Sequence, residues 1–120
     1  MRVFSFEEEM NGVGVAKIGV LKNATEFVDL SIADPSLPSD MTALIASAGG
    51  LQALSSAASQ APSLATRPLS DLQSKGMKYL PLVPHPGQVV CLGLNYADHA
   101  AEGGHSRPEY PSFFMRGPNS

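Results

Sequence analysis

The chain has 120 residues, 43% hydrophobic and 16% charged, enough apolar content to bury a core in one small domain, or in a small domain plus part of a second. Eight Lys and Arg against eleven Asp and Glu leave a net charge of −3, and no basic cluster is present, so nucleic acid is excluded as the main partner. A single cysteine, Cys91, excludes an internal disulfide framework and a multi-cysteine zinc site, and it points to a reducing compartment, read as cytoplasmic.

The N-terminal run turns acidic at Glu7, Glu8 and Glu9 before an apolar targeting segment can form, so no secretory signal is expected. Residues 41–66 carry no charge, but Ser, Thr, Gln, Gly and Pro interrupt them repeatedly. No membrane partner is expected. Val3, Phe4, Ser5 and Phe6 alternate, residues 12–21 are rich in β-branched side chains, and a turn at Lys22, Asn23 and Ala24 leads into partial alternation over 26–32. The pattern predicts a short antiparallel meander. Gly12 and Gly14 are followed next by Gly19, so the dinucleotide-loop spacing fails and these glycines belong to a hairpin.

A loop over 34–39 then leads to Ser39 or Asp40, either of which can cap a helix carrying Met41, Leu44, Ile45 and Ala48 on one stripe and ending at Gly49 and Gly50. A second short helix carries Leu51, Leu54 and Ala58 and stops before Pro62. Residues 1–65 read as structural. Five prolines between 62 and 88 predict an extended connector, with a domain boundary near Pro86 and Gly87.

Residues 88–94 form an apolar run that suits a buried strand, with Cys91 inside it as a structural thiol. Asn95 then caps a predicted helix of about two turns, Asp98 stands where a capping box places Glu, and Gly103 and Gly104 stop it. On that helix His99 and Glu102 are three residues apart and share a face. A carboxylate against one imidazole nitrogen fixes the tautomer and makes the other nitrogen a better base toward water. The same pair also suits a solvated helix face, and spacing alone leaves both readings open. Tyr96 reads as a packing residue and His105 as a solvated loop residue. His85, His99 and His105 have spacings of fourteen and six, which match no compact zinc pattern.

The stretch Gly93, Leu94, Asn95, Tyr96, Asp98, His99 and Glu102, followed by Pro108, Pro111 and the run from Ser112 through Arg116 to Pro118 and Ser120, resembles the fumarylacetoacetate hydrolase (FAH) family. The resemblance is strongest over 84–120, and residues 1–83 are similar to the small N-terminal domain found in many members. It implies an α/β (α+β) fold: an N-terminal β-meander with two short helices over 1–83, then over 84–120 the opening strand, lid helix and strand of a truncated β-roll (mixed β) catalytic domain.

It implies a metal-dependent hydrolase or decarboxylase that breaks carbon–carbon bonds in small dicarbonyl or oxo acids, in the catabolism of aromatic compounds or amino acids. It also implies a homodimer when full length. His99 and Glu102 fall on the family's water-activating dyad, and Arg116 stands where Lys is common, placed to hold an anionic substrate. The Mg2+ or Mn2+ of the family is bound by an E-x-E pair and a later acid downstream of the lid. Here the acids after Asp98 are Glu102 and Glu109, and the E-x-E formed by Glu7, Glu8 and Glu9 lies in the wrong domain. No metal ligand is therefore assigned in this sequence. The chain is expected to be a fragment, inactive by itself, with its ligands beyond Ser120. The competing expectation is non-enzymatic: a truncated domain serving only folding or assembly contacts.

Overall fold

A computed structural model describes residues 1–93, 103–104 and 110–117. The described chain is α+β, two sheets with a few short helices, and it divides into two compact units, Met1–Pro84 and His85–Ser120.

The first unit is built on a hairpin. Strand β1 (Val3–Met10) and strand β2 (Val13–Leu21) pair antiparallel from Val3 opposite Val20 to Met10 opposite Val13. Asn11 and Gly12, both at positive φ (54° and 79°), make the two-residue turn whose backbone matches the strand twist. Strand β3 (Glu26–Asp29) adds to β2. It was expected to run to residue 32 but ends at Asp29, whose carboxylate accepts from the Ser31 N–H at 3.0 Å and caps helix α1 (Leu30–Ala33).

Helix α2 (Met41–Ala46) is capped by Asp40, whose side chain accepts from the Ala43 N–H at 2.9 Å. It stops at Ser47, short of the expected glycines, because the Ser47 N–H and hydroxyl both turn back onto the Leu44 carbonyl. Helix α3 (Gly50–Ser59) follows. Of the expected apolar stripes, Met41, Leu44 and Leu54 are buried, whereas Ile45 and Leu51 are exposed.

The expected connector over 62–88 is a larger correction. After a 3-10 turn at Ser63–Ala65, strand β4 (Thr66–Pro68) pairs with β3. Helix α4 (Asp71–Ser74) comes next, and strand β5 (Lys78–Leu80) pairs with β1. The sheet order is β4-β3-β2-β1-β5, so this proline-bearing stretch supplies both edges. Pro68 is tolerated because an edge strand needs only one side of its ladder.

Strand alternation gives the five-stranded sheet two different faces. Ile18, Val20 and Val28 point to one, where Leu30, Met41, Leu44, Leu54 and Ala65 close an aliphatic core. Phe4, Phe6, Phe27 and Tyr79 point to the other, with ring centroids 5.3 to 5.7 Å apart, and Leu72 and Met77 cover the two buried rings of Phe6 and Phe27. Gly19 lies under the Phe4 ring, and any Cβ there would come within 2.4 Å of it. This glycine serves close packing.

The second unit contains a ribbon of strand β6 (Val89–Gly93) and strand β7 (Ser112–Arg116), paired antiparallel. β7 is the one sheet partner of β6 among the described residues, so Val90, Leu92, Phe113 and Met115 share a face that stays largely open. For the same reason Cys91, expected to be buried, is half-buried.

Candidate functional site

The ladder of the second unit fixes where the candidate chemistry enters and leaves. Gly93 pairs with Ser112, so the 18 residues numbered 94–111 depart and return at the same end of one ribbon. His99 and Glu102 belong to that excursion and lie outside the described residues, as does the expected helix that carries them. The excursion's ends are held within one strand spacing of each other, about 4.7 to 5.5 Å.

Arg116, the third assigned side chain, is described. It is exposed and sits opposite Val89 at the other end of the ribbon from Ser112, about 13 Å along the strand. Arg116 shares its face with Ser112 and Phe114 by alternation.

The strongest electrostatic feature lies in the first unit and was not anticipated from the sequence. Glu8 on β1, Lys17 on β2, Asp29 on β3 and Arg67 on β4 all point to the aromatic face of the sheet. Arg67 donates from Nη1 to Glu8 Oε2 and Asp29 Oδ2, both at 3.1 Å, and from Nη2 to Glu8 Oε1 at 2.9 Å. Its Nε lies 3.5 Å from Asp71 Oδ2, and its guanidinium stacks 5.8 Å from the Phe27 ring centre. Lys17 donates to Glu8 at 2.6 Å and reaches Asp29 at 3.4 Å. Asp29 is wholly buried and Lys17 nearly so.

Such a cluster is tolerated away from water only if every charge is paired and hydrogen-bonded, and no buried side-chain polar atom among the described residues lacks a partner. The Arg67 hydrogen bonds hold the Glu8 carboxyl down at about 2, against the opposing effect of burial and with help from Lys17. Glu8 and Asp29 in turn hold the Arg67 guanidinium above its ordinary range despite burial. Lys75, with Arg67 behind it, lowers Asp71.

A signal for this cluster existed. Glu8 continues the Phe4, Phe6 alternation and Lys17 continues the stripe of Gly19 and Leu21, so both charges stand in phase with apolar neighbours that face the interior.

The network is mutually neutralising and serves structure. Among the described residues, no group of three His, Cys, Asp or Glu is placed to hold a metal ion. The described residues thus do not fit the Mg2+ or Mn2+ that the resemblance implies. No helix among them is long and apolar enough to cross a membrane.

No family model matches the chain. It is 50% identical over 44 residues to the homoprotocatechuate catabolism bifunctional isomerase/decarboxylase of Escherichia coli, a match covering 36% of the chain and 10% of that protein. It is 36% identical over 89 residues to the mitochondrial oxaloacetate tautomerase Fahd2a of Rattus norvegicus, covering 74% of the chain and 26% of that protein. A Burkholderia orbicola protein, whose name gives hydrolase as an inferred class, is 38% identical over 101 residues, covering 84% of the chain and 32% of that protein.

These similarities point to the FAH superfamily. The chain spans between a tenth and a third of the length of these relatives. The Escherichia coli and Rattus norvegicus relatives are enzymes by name.

Proposed function

We propose that the chain is the N-terminal part of an FAH-type enzyme acting on small oxo or dicarbonyl acids, and that residues 84–120 open its active site. The observation that carries this is the shared similarity to a tautomerase and an isomerase/decarboxylase. Keto–enol tautomerisation and decarboxylation of an oxo acid both pass through an enol or enolate beside a carbonyl. Tautomerisation needs a base at the carbon. Decarboxylation needs a sink for the electron pair that the departing CO2 leaves behind, and then a proton donor. Both need a fixed charge for the developing oxygen.

In this reading His99 is the base and Glu102 holds its imidazole in the productive tautomer. In a hydrolytic member His99 would take a proton from water. The resulting hydroxide adds to the carbonyl, the carbon–carbon bond breaks, and its electron pair leaves as an enolate that a proton then quenches. Arg116 would hold a substrate carboxylate. Any Mg2+ or Mn2+ would be bound by groups other than the described residues.

The test is turnover of a panel of oxo and dicarbonyl acids, with Mg2+ or Mn2+ supplied, by the protein encoded by the reading frame that contains this chain. Saturable loss of the enol or release of CO2 is expected. A folded protein inert on every member of the panel would contradict the proposal.

A further inference from the structure

The crossover between the two edge strands of the first unit has the geometry of a moving part. β4 and β5 lie at opposite edges of the five-stranded sheet, so residues 69–77 must traverse its whole aromatic face. Four strand spacings make that crossing about 19 Å, and nine extended residues reach at most about 30 Å. The segment has room for the single turn of α4 and little more.

Its backbone is fixed at one end, where the Leu69 N–H donates to the Thr25 carbonyl at 2.8 Å, and from residue 72 onward its bonds stay within the segment. The N–H groups of Leu72, Gln73, Ser74, Lys75 and Gly76 donate to the carbonyls of Leu69, Ser70, Ser70, Asp71 and Gln73, all within the crossover. Lifting it would break none of these bonds. Gln73, Ser74, Lys75 and Gly76 are exposed, and Gly76 ends the helical turn at φ +66°, a conformation other residues resist.

What fastens the segment is a short set of side chains. Leu72 and Met77 are the buried apolar anchors, with Leu69 half-buried beside them. Among the described residues the charged link to the sheet is Arg67, whose Nε faces Asp71 at 3.5 Å and whose Nη2 lies 3.8 Å from the Met77 sulfur. The rest of the same guanidinium is bound to Glu8 and Asp29 on β1 and β3. One planar side chain on an edge strand therefore joins two inner strands to the crossover.

We propose that residues 69–77 are a strap that opens and closes over the aromatic face as a unit, and that the Arg67 guanidinium is the clasp that holds it shut. Opening uncovers Phe6 and Phe27 and leaves the β1–β2–β3 ladder and the aliphatic core intact. This device is independent of the enzymatic reading and stands or falls apart from it.

Hydrogen exchange on the whole 120-residue chain tests it. In the unaltered protein the amides of 72–76 should exchange well ahead of those in the β1–β2 ladder, as expected of a locally opening unit. Asp71→Asn keeps the Arg67 bonds to Glu8 and Asp29 but weakens the strap's own link, and it should speed exchange in 72–76 by about tenfold with the ladder unchanged. Arg67→Met should raise it by roughly a hundredfold, since breaking a buried pair from one side is costly. Lys75→Ala removes the exposed partner of Asp71 and should leave the strap closed.

Exchange of 72–76 in step with the ladder in the unaltered protein would overturn the proposal. So would an Asp71→Asn strap that exchanges at the unaltered rate, or a Lys75→Ala strap opened as far as that of Asp71→Asn. Should Arg67→Met fail to fold, the Asp71→Asn result decides.

Discussion

Replacing Glu8 by Gln keeps the shape of the side chain and removes the charge at the centre of the buried network. The folded protein holds Glu8 at about 2 where the free carboxyl would sit at 4.5, mainly through the Arg67 hydrogen bonds. A displacement of that size corresponds to about 3 kcal/mol in full. Water reaches part of the side chain, which keeps 19% of its area exposed, so screening reduces the stability at stake to about 1–2 kcal/mol. Because the folded-state value is depressed, this contribution is complete above pH 4.5 and disappears as pH falls toward 2. Urea unfolding followed by far-UV circular dichroism at pH 7, 5, 4 and 3 measures it. The variant should be less stable at pH 7 by about 1–2 kcal/mol, and the gap should narrow steadily below pH 4.5. A residual slope from Asp71, whose carboxyl is also lowered by Lys75 and Arg67, should persist in both proteins. A gap that stays constant with pH, or no gap at all, would refute the assignment of Glu8 as a buried, ion-paired carboxylate.

Leu54→Ala removes a side chain with no exposed area from the aliphatic core and should cost about 2–5 kcal/mol, read as a lower urea midpoint with an unchanged slope. Gly19→Ala puts a Cβ within 2.4 Å of the Phe4 ring, which three other aromatic rings hold in place, and should destabilise by about 1–3 kcal/mol; a neutral result would show that the ring yields freely. In the active protein, Glu102→Gln keeps the size of the group that orients His99 and removes its charge, so the acid limb of the pH–rate profile should move to lower pH. An unmoved limb would detach Glu102 from His99.

Much of the first unit is legible in the sequence because its signals are local. The alternation from Val3 to Phe6, the β-branched run ending at Leu21 and the stripe of Met41 and Leu44 each report one element's own inward face, and each element formed. Gly12, read as a hairpin glycine, does sit in the turn, where it and Asn11 both adopt positive φ.

Strands β4 and β5 escaped for the opposite reason. Each has three residues, too few to show a period, and each owes its form to a distant partner: Arg67 to Phe27, Tyr79 to Phe6. Prolines nearby then dominate any local reading. Alternation marks Glu8 and Lys17 as inward-facing charges, but their pairing escaped because the network is assembled across four strands and α4, from residues up to 63 positions apart. The candidate site presents another case. His99 and Glu102 are legible as a motif and a helix-face pair, and the described ladder supplies the tether at Gly93 and Ser112 but not the side chains themselves.

The most direct measurement of the enzymatic account is the turnover number of His99→Ala, Glu102→Ala and the double variant, in the protein encoded by the reading frame that contains this chain. If His99 activates the attacking group and Glu102 orients it, each single change should lower kcat by about 10²- to 10⁴-fold. The double variant should lose little more than the worse single one, because the two act as a unit. Three variants that turn over oxo acids at close to the unaltered rate would contradict the account and return the pair to a solvated helix face.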